Sequence, residues 1–239
     1  MRIRFLFFSL LLTLPAIAQR PAEDVLEGYF REGYELMQQQ EFQKAFEKFD
    51  RNIRESGLRA ENDYFALYFR AVCNYYLGNF KPAIDDLNLY IPRSPSSPQP
   101  FLLRATCYRQ LGDEKGQLND LNEALSKEPE GEEGFDPELF RWRAELYLNR
   151  TQYDSALTDI RRSLAIREEP ATLAMLAFVQ YGEGKYDSAL MAVNKTIALD
   201  HTFLSSYEYG AMFCLQESDN DKALVYADLG LRIDDRQWR

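Results

Sequence analysis

The chain reads as an all-α protein, an α-solenoid with a right-handed superhelix of about six helix-turn-helix hairpins. Three observations predict this. A small residue recurs at Ala45, Ala83, Ala156, Ala189 and Ala223, with Gln117 in the remaining place, at intervals of 38, 34, 39, 33 and 34 residues. Apolar residues between these points follow the i, i+3, i+4, i+7 spacing of amphipathic helices. A period near 34 with two helices per unit is the mark of a stacked repeat array that presents an extended binding surface.

The elements follow in chain order. In the first 18 residues, Arg2 and Arg4 precede an apolar run from Phe5 to Leu14, and Ala16-Ile17-Ala18 supplies the small residues of a cleavage site. This reads as a secretory signal peptide cleaved near Ala18, leaving Gln19 as the mature N-terminus. The run is well short of the roughly 20 residues that span a bilayer. Export to a periplasm or beyond is the expected location. Removing the signal takes away two of the 28 basic side chains and none of the 38 acidic ones, so the net charge deepens from −10 to −12. Such a surface repels phosphate backbones and anionic lipid, which excludes nucleic acid as a partner.

Six hairpins then fill residues 19–239 as a single domain, with repeats at approximately 26–59, 64–97, 98–131, 137–169, 170–203 and 204–237. The third shows the pattern: Ala105, Tyr108 and Gly112 lie on a helix and its turn, then Leu121, Ala124 and Leu125 on a second helix ended by Pro129. Gly112 can take the left-handed conformation that closes the first helix. Gly33, Ala71, Ala105, Ala144, Ala177 and Ala211 mark where the two helices touch. Phe49, Leu87, Leu121, Ile160 and Val193 are the large residues of the second helices, and Ala227 holds that place in the sixth hairpin. Extra residues around Ser56 to Asn62 and in the acidic stretch from Glu128 to Asp136 predict surface loops.

These motifs resemble the tetratricopeptide repeat (TPR) over nearly the whole mature chain. The resemblance implies a concave groove, lined by the first helices, that takes extended or helical peptides. Carried over residue by residue, it places Phe30, Tyr34, Met37, Phe65, Tyr68, Tyr75, Tyr76, Arg109, Arg141, Phe178 and Tyr181 in that groove, with Val72, Thr106, Met212 and Leu215 beside them. The Lys and Asn side chains that clamp a C-terminal carboxylate in chaperone-binding members are missing, because Phe30, Tyr34, Phe69, Gln99 and Leu103 stand in those places.

A charge pattern needs no family knowledge. Arg70, Arg104 and Arg143 occupy one position in successive hairpins, and Asp86, Asp120 and Asp159 follow each by 16 residues. Glu32 and Lys48 repeat the pair with signs reversed. Each pair is predicted to join the two helices of its hairpin. The last helix carries Leu224, Tyr226, Leu229 and Leu231 without a polar cap, which suggests a homo-oligomer or a docked partner on that face.

Catalytic chemistry has little to work with. His201 is the one histidine, Cys73, Cys107 and Cys214 lack metal-ligand spacing and read as buried hydrophobes, and no Gly-rich phosphate loop is present. The expectation is a non-enzyme without cofactor or metal, binding a protein or peptide partner in a cell-envelope assembly. The alternatives are a scaffold for cell-wall glycan, since tyrosine faces stack on sugar rings, and a structural oligomer built through the last helix.

Overall fold

The computed structural model describes residues 21–59, 63–127 and 135–237. The expected signal peptide, most of the acidic loop and Trp238 lie outside these residues.

Twelve α-helices, taken two at a time, form the hairpins: α1 (Pro21–Gln38) with α2 (Phe42–Ser56), α3 (Tyr64–Tyr76) with α4 (Phe80–Tyr90), and α5 (Gln99–Leu111) with α6 (Glu114–Leu125). The others are α7 (Pro137–Asn149) with α8 (Tyr153–Ile166), α9 (Pro170–Gly182) with α10 (Tyr186–Leu199), and α11 (Leu204–Gln216) with α12 (Asn220–Gln237). A 3-10 turn, Ile91–Arg93, follows α4. Pro137 and Pro170 open α7 and α9 in the first turn, where their missing N–H groups have no helical partner to lose. The Asp136 carboxylate accepts from the Glu138 N–H and the Asp113 carboxylate from the Gly116 N–H, capping α7 and α6.

One turn closes all six hairpins. Gln40, Gly78, Gly112, Thr151, Gly184 and Ser218 each have φ between 57° and 79°. The next residue, from Glu41 through Asn79, Asp113, Gln152 and Lys185 to Asp219, donates its N–H to the carbonyl five residues back at 2.8–2.9 Å. This is the Schellman closure of a helix C-terminus. The same residue's carbonyl then accepts the first hydrogen bond of the second helix, from Ala45, Ala83, Gln117, Ala156, Ala189 and Ala223 in turn. A single residue therefore ends one helix and starts the next, which sets the pairing angle of each hairpin.

The chain divides into two compact units, the first ending at Pro95 and the second beginning at Ser96. In the first unit Phe49 is fully buried and stacks on Phe69 with ring centroids 5.6 Å apart. Phe30 meets both rings edge-on at 5.6 and 5.3 Å. A Cβ on Gly33 would come within 3.0 Å of the Phe49 ring, so the glycine is what lets that ring sit between the helices. In the second unit Ala144, Ala156, Leu157, Ile160 and Val179 form one buried cluster, and Ala177, Ala189, Ala192, Val193 and Phe213 another. Each fully buried large side chain contributes about 1.5–3 kcal/mol. The three thiols are also buried and unbridged, and burial pushes those of Cys73 and Cys107 up to about 12.

Candidate functional site

The first helices of each unit carry the candidate binding residues. In the first unit most of the aromatics are spent on packing. Tyr34 lies edge-on to Phe69 at 5.6 Å, and Tyr68 contacts Phe69 and Tyr90, each at 5.4 Å. Phe65 is 6.0 Å from Tyr90, and Tyr75 is 5.9 Å from Phe80. Met37 is buried, as are Val72 and Thr106, because neighbouring side chains close over them. Met37 therefore belongs to the core and gives a ligand no open surface. Tyr76 differs: it lies flat on Phe42, 4.2 Å between centroids and 9° between planes, and remains 40% exposed. Partial burial raises its phenol above the usual tyrosine range.

In the second unit Tyr181 is stacked on Phe213 at 4.2 Å and 3°, and its hydroxyl donates to Gln216 Oε1 at 2.6 Å. These contacts hold α9 and α11 side by side. Phe178, 40% exposed, and Leu215, 58% exposed, stand on the same two helices. The Arg109 guanidinium sits 4.4 Å over the Trp142 ring and 3.9 Å from Glu145, keeping about a third of its side chain open. Arg141 is more enclosed. Its Nη2 donates to Glu138 at 3.1 Å and its Nε, 3.9 Å from Glu169, makes no hydrogen bond. Two carboxylates thus offset the charge that the sequence assigns to the groove at Arg141.

The charged pairs lie between helices. Arg70 forks onto Asp86 (Nε–Oδ2 2.9 Å, Nη2–Oδ1 2.6 Å), Arg104 onto Asp120 (both 2.7 Å) and Arg143 onto Asp159 (2.7 and 2.8 Å). Lys48 meets Glu32 at 2.5 Å. Burial lifts the carboxyls of Asp86 and Asp120 above the ordinary range, against the opposing pull of their arginines. Arg70 and Arg143 also reach the preceding hairpin: Arg70 Nη1 donates to Asp50 at 2.7 Å, and Arg143 Nη1 to Asn122 at 3.1 Å. Sequence reasoning did not anticipate this second contact. Its signal is an Asp or Asn two residues beyond the paired position, as in Lys48-x-Asp50 and Asp120-x-Asn122.

The sixth hairpin reaches the same place by other means. Gly210 stands where the arginine would be, and the Tyr226 ring fills the space, 2.7 Å from where a Cβ on Gly210 would lie. The Tyr226 hydroxyl donates to Asn194, two residues beyond Ala192, at 2.8 Å.

Among the described residues no group of three or more His, Cys, Asp and Glu side chains could hold a metal, and no helix is long and apolar enough to cross a membrane. A hollow between α1 and α2 is lined chiefly by Glu32, Glu35, Glu47, Lys44 and Lys48, which largely neutralise one another.

No family model matches the chain, and no curated protein does. Solved structures do match. A tetratricopeptide repeat protein from Parabacteroides merdae is 19% identical with a TM-score of 0.66, over 90% of this chain and 88% of that one. YrrB, described as a TPR protein with an unusual peptide-binding site, is 15% identical with a TM-score of 0.65, over 80% and 98%. MamA is 17% identical with a TM-score of 0.63, over 70% and 95%. The chain has the tetratricopeptide-repeat fold. At these identities the likeness is one of fold, and the twelve helices supply six TPR hairpins.

Proposed function

We propose that the chain is an exported, non-catalytic TPR scaffold that holds a segment of another protein within a cell-envelope assembly. The observation that carries this reading is the α9–α11 face. Tyr181 is fixed flat on Phe213, and Phe178 and Leu215 remain open on the same helices. Rigid aromatic area that loses little side-chain entropy suits a peptide-binding surface. Arg109, held over Trp142, adds a cation on α5 of the same unit, and Tyr76 offers a flat aromatic face in the first unit. The peptide-binding site named for YrrB, a neighbour in fold, supports this reading. The apolar leader of the sequence supports the export part of the reading.

The test is recovery of partners from native envelope by tagged residues 19–239, beside the same protein carrying Phe178→Ser and Leu215→Ser. Both positions are open, so the double variant should keep its helical circular dichroism. A protein retained by the parent and lost from the variant places the segment on the α9–α11 face. Identical capture by both, or retention of envelope glycan with no protein, would overturn the reading.

A further inference from the structure

The residue after the repeating small residue of a second helix, and the one seven places further on, pack against the hairpin that follows. Leu157 and Leu164 of α8 share a cluster with Val179 of α9, and Leu190 and Ile197 of α10 share one with Phe213 of α11. In α12 the same two positions are Leu224 and Leu231, which are 71% and 66% exposed. Val225, at 58%, and Leu229, at 43%, widen the open face. No described element covers it. An apolar helix face of this extent marks an interaction surface.

Head-to-tail stacking of copies is disfavoured by the charges on α1. The first-helix residues that dock on a preceding hairpin are Met175 and Val179 in α9, then Tyr209 and Phe213 in α11. Their counterparts in α1 are Arg31 and Glu35, both exposed. Pressing those charges onto Leu224 and Leu231 would cost desolvation that the apolar residues of α9 and α11 avoid.

α12 is, by contrast, complementary to itself. Asp228 and Arg232 sit one turn apart on the open face, joined at 2.7 Å. We propose that a second copy of this chain covers α12, with the two helices antiparallel about a two-fold axis at the height of Gly230. That axis sets each Asp228 opposite the Arg232 of the other copy, in both directions. An isologous contact of this kind closes as a dimer and leaves no open end to propagate.

Light scattering on residues 19–239 over a range of concentrations should give a dimer mass. Leu224→Asp with Leu231→Asp should yield a monomer with unchanged helical circular dichroism. Asp228→Arg alone and Arg232→Asp alone should each weaken the dimer at least about tenfold through like-charge opposition. Mixing those two single variants should restore a heterodimer, because each then supplies the charge the other needs. A monomer at every concentration, or a dimer indifferent to all four substitutions, would overturn the proposal.

Discussion

Arg143 holds Asp159 through two parallel hydrogen bonds while the carboxylate side chain is only 2% exposed. Removing one member of a buried pair strands the other charge, and costs about 3–5 kcal/mol. Replacing both with apolar groups of suitable shape is often close to neutral. The chain already contains that replacement, since the fifth hairpin carries Leu176 and Ala192 at the matching positions, and Ala192 is buried. Arg143→Ala should therefore lower the stability of the second unit by several kcal/mol in urea denaturation. The paired change Arg143→Leu with Asp159→Ala should recover most of that loss. If the pair of substitutions costs as much as the single one, the salt bridge contributes net stability and the apolar pair is no substitute. Partial recovery would report the Arg143–Asn122 contact, which the double change also removes. Recovery by the double change would assign the arginines to the ordering of hairpins more than to stability.

At the scale of the element, the repeated turn imposes a demand that only some of its residues meet without strain. Thr151 has φ of 57° on an exposed site. A β-branched side chain is rare in that region, where left-handed backbone costs roughly 1–2 kcal/mol for residues other than glycine. Glycine fills the equivalent place in three hairpins, at Gly78, Gly112 and Gly184. Thr151→Gly should raise thermal stability by about 1 kcal/mol despite the added freedom of the unfolded chain. A lower melting temperature would mean that the Thr151 hydroxyl, which donates to the Arg150 carbonyl at 2.7 Å, outweighs the strain. This turn also shows what the sequence could and could not convey. Gly112 announced the left-handed position, whereas Gln40, Thr151 and Ser218 did not, because none of those residue types is specific to such a backbone. The Arg–Asp pairs were legible because charge recurs there in register with the period. Openness along the first helices was not, because residues on one helical face are buried or left open by the depth of the neighbouring hairpin. Met37 and Tyr76 share the groove-facing pattern, yet only Tyr76 keeps an open face.

For the whole molecule, stability is distributed along the array instead of residing in one shared core. α6 packs on α7, α7 on α8 and α8 on α9, and no helix of the fourth hairpin is in more than marginal contact with α11 or α12. In such an array each unit's stability depends on its own hairpin and its nearest neighbours. Local opening can then proceed in parts of the chain while others stay closed. Hydrogen exchange read peptide by peptide tests this with the Arg143→Ala variant. Protection should fall in α7 and α8, fall less in α6 and α9, and remain at the parent level in α12 and throughout α1 to α3. Arg70→Ala should give the mirror result, with the loss centred on α3 and α4 and reaching α2, where Arg70 also binds Asp50. A uniform loss of protection over all twelve helices would mean that the hairpins melt as one cooperative block. A localised loss has a functional consequence, because a ligand held on α9 and α11 would then stiffen that stretch while leaving the first unit free to open.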